Sequence, residues 1–248
     1  MLRFAPHLPL GFIFRAFGAF TRRIEKPSMK PTHKPRIKIC CIAGIEEAWM
    51  AIDAGANAIG LVSAMPSGPG PIPEELIAEI AAIVPPGVSS FLLTCLQDAA
   101  SIIDQQRRLR VNTIQICDRL TGGSYQEIHD ALPGIKLVQV IHVTGPESVD
   151  EATEIAPHVD AILLDSGNQS LAIKELGGTG RTHDWSLSRR IRESIDVPLF
   201  LAGGLNAANV AAAISEVQPF GIDVCSGLRT EGALDPQKLS EFIRAIRG

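Results

Sequence analysis

The 248-residue chain is 46% hydrophobic with a mean hydropathy of +0.17, enough apolar material for one large core. A net charge of −4 and a pI near 5.9 exclude the basic field that nucleic-acid binding requires. Five cysteines, an odd number, point to a reducing, cytoplasmic setting, and no apolar run approaches the roughly 20 residues of a membrane helix.

The first 28 residues stand apart. They hold five of the nine phenylalanines and the basic residues Arg3, Arg15, Arg22, Arg23 and Lys26 against Glu25 alone. That composition suits an organelle transit peptide. Met29, however, opens a polar lead into the first strand, and an over-extended start is the preferred reading. Residues 1–34 are expected to be a peripheral extension and residues 35–248 a single domain.

Short, β-branched, nearly continuous apolar runs follow at 36–42, 58–63, 88–94, 111–117, 135–143, 159–165, 197–202 and 221–225. Strands buried on both faces read this way. Between and after them, residues 45–54, 73–83, 99–109, 125–132, 148–156, 184–194, 207–216 and 236–246 carry helical spacing. Eight βα units predict an α/β fold of the (β/α)8 TIM-barrel type, with a doubly wound open sheet as the competing arrangement. Two connections are unusual. The stretch 166–182 is long, polar and glycine-rich, as a loop that covers a barrel mouth would be. The loop from Met65 to Pro73 is stiffened by prolines.

Barrel chemistry gathers at the C-terminal strand ends, so the polar residues there carry the argument. On the first strand, period two puts Lys38 and Cys40 on one face, and a lysine beside an inward cysteine favours the basic thiolate. Cys41, Cys95 and Cys225 fit the commoner role of small buried hydrophobes. Asp165 closes the sixth strand beside the long loop, as an acid–base group or as a cap on the next turn. Asp223 suits an internal ion pair, and His142 is open between substrate contact and a structural hydrogen bond. Glycine-rich turns at Gly177-Gly178-Thr179-Gly180, Gly203-Gly204 and Ser226-Gly227 free backbone N–H groups to approach a phosphate, a site expected after strands seven and eight. The ligand is therefore expected to be a phosphorylated small molecule. Its binding set is Lys38, Gly178, Thr179, Gly180, Gly203, Gly204, Ser226 and Gly227.

Together these segments resemble the phosphoribosylanthranilate isomerase family. The likeness runs from about Arg36 to Gly248 through Lys38-Ile39-Cys40, Asp53-Ala54-Gly55-Ala56, Leu164-Asp165, Gly177-Gly178-Thr179-Gly180 with Asp184-Trp185, Leu201 to Asn206 with Asn209, Asp223 and Ser226-Gly227. The resemblance implies a barrel that needs no cofactor and performs an Amadori rearrangement, with Asp165 as acid and Cys40 as base. It also implies a phosphorylated substrate, no nucleic-acid or membrane partner, and a monomer or homodimer. Four positions depart from the family's usual pattern. Cys41 follows the cysteine in place of glycine. Ser67-Gly68-Pro69-Gly70 stands where Ser-Pro-Arg is usual, which removes an arginine that helps hold the anthranilate. Cys117-Asp118 replaces His-Gly, and Arg229 replaces glutamate. Arg119, Arg181 and Arg229 are the candidate substitutes for the lost cation.

Three alternatives compete. One is a related barrel isomerase acting on a different phosphosugar, and another is a non-catalytic barrel that binds a phosphate ligand. The third is a metal site built from Cys40, Cys117, His142 and Cys225, but these lack the close ligand spacing that such sites favour.

Overall fold

The computed structural model describes residues 34–167, 173–177 and 180–247. Eight parallel strands close in chain order: β1 (Arg36–Ile39), β2 (Ala58–Val62), β3 (Ser89–Thr94), β4 (Thr113–Ile116), β5 (Lys136–His142), β6 (Ala161–Asp165), β7 (Leu199–Leu201) and β8 (Gly221–Val224), with β8 paired back to β1. The helices are α1 (Ile45–Asp53), α2 (Glu74–Ile83), α3 (Ala99–Leu109), α4 (Tyr125–Ala131), α5 (Glu147–Ile155), α6 (Trp185–Ser194), α7 (Val210–Val217) and α8 (Pro236–Arg247). This is the expected (β/α)8 barrel.

Period-two alternation sorts each strand between two apolar layers. On β3, Phe91 and Leu93 join Ala58, Val138, Leu163 and Phe200 inside the barrel. Leu92 points outward with Ile59, Ile114 and Ile162, against Ile77, Ile102, Val210 and Phe242 of the helices. Phe91, Phe200 and Phe220 stack edge to face at 5.9 and 5.5 Å. Helix entries follow local chemistry, with Asp98, Ser124 and Asp184 accepting from backbone N–H groups of the first turns of α3, α4 and α6 at 2.8, 3.2 and 2.8 Å.

The closing seam has a chemical signature. Register sets Lys38 on β1 opposite Asp223 on β8, and the pair bonds at 2.8 Å with the lysine fully buried. Its ammonium also lies 5.2 Å from the centre of the Phe91 ring.

Most element ends shift by one to three residues from the sequence reading, and two differences bear on the site. The first strand stops at Ile39, not at residue 42, because Cys41 takes a left-handed conformation (φ 61°) that ends the extended run. After β8, an unpredicted ribbon pairs β9 (Arg229–Thr230) with β10 (Ala233–Leu234) through Glu231 and Gly232, both at positive φ. Of the expected N-terminal extension, all but Lys34 lies outside the described residues. Among the described residues, no helix is long and apolar enough to cross a membrane.

Candidate active site

A cleft of about 670 Å³, open mouth included, lies at the C-terminal ends of the strands. Cys40, Gln115, Asp165, Asp223, Gly203, Gly204, Gly180 and Ser226 share its wall. The sequence thus brings its thiol, its carboxylate and its glycine turns to one place. Gly178 and Thr179 lie outside the described residues, and Gly227, next to Ser226 but not in the lining, packs against Leu205 and Asn206.

Asp165 ends β6 with one oxygen, Oδ1, accepting from the backbone N–H of Ser166 at 2.7 Å. That bond is the capping role considered for it. The other oxygen faces Gly177, where any Cβ would come within 2.5 Å of it, so only glycine lets the long loop lie over the acid. Burial pushes the Asp165 carboxyl up to about 6, against the Ser166 hydrogen bond and assisted by the Asp223 charge. A group protonated near pH 6 in a cleft can donate a proton.

Lys38 differs from expectation. It was read as a substrate contact, but its side chain is wholly buried beneath the cleft and paired with Asp223, outside the lining residues. Burial pulls its ammonium down, and the Asp223 charge more than reverses this, so it stays charged. A Cβ at Gly60 would meet both Cys40 Sγ at 2.8 Å and Lys38 Nζ at 3.1 Å, which places ammonium and sulfur side by side against that glycine. Asp223 does more than close the seam. Its Oδ2 takes the Lys38 bond while Oδ1, in the cleft wall, has no protein partner, and Gln115 Oε1 is in the same position. Buried acceptors without donors await a ligand's hydroxyls. The sequence offered no signal for this second role beyond placing Asp223 on β8.

At the opposite wall the glycine turns interlock. Gly203 and Gly204 are both left-handed (φ 84° and 60°). A Cβ on Gly227 would collide with the Leu205 carbonyl. Asn209 braces the turn, accepting from Asn206 N–H at 2.8 Å and donating to Gly204 O at 2.9 Å. Side chains with polar tips thus hold a backbone concavity suited to an anion.

Beyond the strand ends of β4 and β5, His142 and Cys117 are held within the barrel wall. His142 is buried, donates Nε2–H to the Cys117 carbonyl at 3.1 Å, and is kept neutral by burial, which lowers it. Burial likewise pushes the Cys117 thiol far up. Among the described residues, no group of three His, Cys, Asp or Glu side chains is arranged to hold a metal ion.

The three arginines considered for the missing cation are engaged elsewhere. Arg119 pairs with Glu151 at 2.9 Å, Arg181 with Glu175, and Arg229 with Glu47 and the carbonyls of Cys40 and Cys41. Among the described residues lining the cleft there is neither arginine nor lysine. Lys174 is near the rim, bonded to Asp118 at 2.5 Å while its carbonyl accepts from Ser67 Oγ at 2.6 Å.

A family model for N-(5'-phosphoribosyl)anthranilate (PRA) isomerase matches residues 37–245. The chain belongs to the PRA isomerase family. It is 37% identical over 214 residues to N-(5'-phosphoribosyl)anthranilate isomerase 2 of Methanosarcina mazei, covering 86% of this chain and 94% of that relative. Among solved structures it is similar to phosphoribosyl anthranilate isomerase from Thermotoga maritima, at 28% identity and a TM-score of 0.71 over 86% of this chain and 98% of that one. A PRA isomerase solved with reduced 1-(o-carboxyphenylamino)-1-deoxyribulose 5-phosphate matches at 27% identity and a TM-score of 0.69, with the same coverage.

Proposed function

We propose that this chain is a cytoplasmic isomerase, acting as a monomer or homodimer, that performs the Amadori rearrangement of N-(5'-phosphoribosyl)anthranilate in tryptophan biosynthesis, with Asp165 as acid and Cys40 as base. One observation carries the reading: a thiol and a carboxyl raised to about 6 line the same cleft as the interlocked glycine turns.

Asp165 gives its proton to the ribose ring oxygen, and the C1–O bond opens to leave an imine. Cys40 then takes the C2 proton, and the resulting enolamine relaxes to the ketone. Lys38, fixed by Asp223, keeps a positive charge beside the Cys40 sulfur as that proton moves. Gly180, Gly203, Gly204, Ser226 and Gly227 hold the phosphate through backbone groups, while Asp223 Oδ1 and Gln115 Oε1 accept from sugar hydroxyls.

Complementation of a tryptophan auxotroph lacking this isomerase tests the proposal. The wild-type chain should restore growth, and Cys40→Ala and Asp165→Ala should not. A soluble wild-type chain that fails to rescue would overturn it. That no arginine or lysine lines the cleft among the described residues favours one second reading, an isomerase of the same phosphosugar bearing a different amine. Saturation by phosphoribosylanthranilate at ordinary turnover would eliminate that reading.

A further inference from the structure

Arg229 and Glu47 clamp the strand end that carries Cys40. The β1 strand stops at Ile39, one residue before the thiol. Cys40 N–H bonds Val224 O at 2.8 Å, and Ile42 N–H bonds Gly60 O at 3.0 Å. Between those two bonds the backbone turns left-handed at Cys41 (φ 61°). A residue with a side chain resists that conformation, because its Cβ crowds the following carbonyl. The two carbonyls that flank the strained Cα are the ones Arg229 Nη2 takes, Cys41 O closely and Cys40 O at 3.4 Å.

Arg229 is itself held in place. Its Nη1 and Nη2 donate to Glu47 Oε1 and Oε2 at 3.2 and 3.0 Å, and Nη1 donates to Gly232 O at 2.7 Å. Glu47 also accepts from Ala43 N–H and Leu234 N–H, both at 2.9 Å. One carboxylate therefore ties the segment after Cys41, helix α1 and the β9–β10 ribbon around one guanidinium. The side chains of Arg229 and Glu47 are 9% and 15% exposed, so water competes little for these bonds. A planar fork can serve a carboxylate and two carbonyls at once, which a compact ammonium cannot. Arg229 is outside the lining of the cleft, so it reaches the reaction only through Cys40. The Cys40 sulfur leaves this same short segment and packs against Gly60 beside the Lys38 ammonium. A displacement of about 1 Å there is enough to cost about 10²-fold in rate.

We propose that Arg229, fixed by Glu47, is a positioning residue for the isomerase reaction. By holding the two carbonyls around Cys41, it keeps the Cys40 sulfur aimed into the cleft beside Lys38. The proposal rests on the reading of Cys40 as base.

The test compares Arg229→Met, Arg229→Lys and Glu47→Gln with the parent, all in the full-length chain. Steady-state kinetics on phosphoribosylanthranilate, well below each melting temperature, are set beside residue-resolved amide hydrogen exchange. Arg229→Met should lower kcat about 10²-fold with KM within about twofold. It should speed exchange at Cys40 and Ile42 about tenfold while Leu164, on β6, keeps the parent's rate. Arg229→Lys keeps the charge opposite Glu47 but not the fork, so it should regain stability without regaining kcat. Glu47→Gln, which loosens the guanidinium without removing it, should lower kcat about tenfold. Cys41→Gly relieves the left-handed strain, and in that background Arg229→Met should cost only about tenfold. The tenfold coupling is about 1.4 kcal/mol, the order of the penalty for a side chain in the left-handed region. A folded Arg229→Met with the parent's kcat would overturn the proposal, as would full recovery of kcat by Arg229→Lys or a loss carried by KM. Should Arg229→Met fail to fold, unchanged exchange at Cys40 and Ile42 in Arg229→Lys would overturn it equally. A wild-type chain without isomerase turnover would refute the proposed function, and the exchange rates would still decide whether Arg229 holds this segment.

Discussion

The two ends of the cleft are built from different materials. At the end proposed to hold the phosphate, Gly180, Gly203, Gly204 and the Ser226-Gly227 turn present backbone, braced by Asn209. At the other end, Met65, Ser67, Gly68, Pro69, Val62 and Leu176 form a largely apolar wall without a cation. Recognition by backbone depends on a conformation that few residues can adopt, so it persists as glycines. Recognition by side chain depends on one group that another element can replace. The second end is the one whose loop lacks the arginine that the family resemblance leads one to expect. Cys41 occupies a left-handed position usually given to glycine.

Between the two ends is the proposed acid–base pair, Cys40 and Asp165, where the largest effects are expected. Cys40→Ala and Asp165→Asn should each lower kcat about 10³-fold with little change in KM, if the ends bind and the centre reacts. Steady-state kinetics on phosphoribosylanthranilate would check this, and a loss confined to KM would contradict it. Asp165→Asn carries a second consequence. The carboxyl titrates near 3.8 when unfolded and about 6 when folded, so the native state holds the proton more tightly. Stability is then lost as pH rises from about 4 to about 6, by up to about 3 kcal/mol. The inactive variant should therefore outlast its parent in urea at about pH 7.5 and match it near pH 4. His183, lowered to about 4 by burial, gains stability over the same interval, but it does so in both proteins and cancels from the difference.

Next in size is the seam. Lys38→Met would leave Asp223 buried without its cation, at a cost of about 3–5 kcal/mol. Denaturant melts should register this loss. A variant as stable as its parent would mean that Asp223 takes up a proton or water when the lysine is gone.

Fold and site were unequally legible in the sequence, for physical reasons. The eight βα units could be read because each strand and helix declares its burial through its own period. The phosphate turns could be read because glycine is nearly the only residue that fits them. The start of the ribbon was missed because Arg229 and Thr230 are too few to carry a period, and Glu231-Gly232 is a weak turn signal. Glu47 is a first-turn acid of α1, a position with no distinguishing signal in the sequence. It in fact ties Arg229 and the Leu234 N–H to the barrel, and although burial raises its carboxyl, Arg229 more than compensates. Lys38 was seen to share a face with Cys40, but its partner is 185 residues away, across a register that only closure of the barrel defines.

At the phosphate end, Gly227→Ala is the sharpest probe. The added methyl meets the Leu205 carbonyl, and because both sides are backbone, the two turns must separate. KM for the phosphorylated substrate should rise about 10²-fold, with stability down by about 1–3 kcal/mol. Inorganic phosphate should weaken as an inhibitor in proportion. An unchanged KM would mean that the phosphate sits elsewhere.

The smallest effect is expected at the end that lacks the arginine. Lys174 is half-exposed and bonded to Asp118, and an ion pair of that exposure contributes at most about 1 kcal/mol. If its role is only to fasten the long loop over the Ser67 turn, Lys174→Ala should raise KM less than tenfold and leave kcat unchanged. The substrate's carboxylate, however, needs a partner, and Lys174 is the described cation whose backbone already touches the loop that lost its arginine. Should KM rise 10²-fold for the carboxylated amine and not for an analogue lacking that group, Lys174 has taken over the arginine's work from a different element. Equal effects on both substrates would leave it a fastening residue and make the apolar wall itself the specificity determinant.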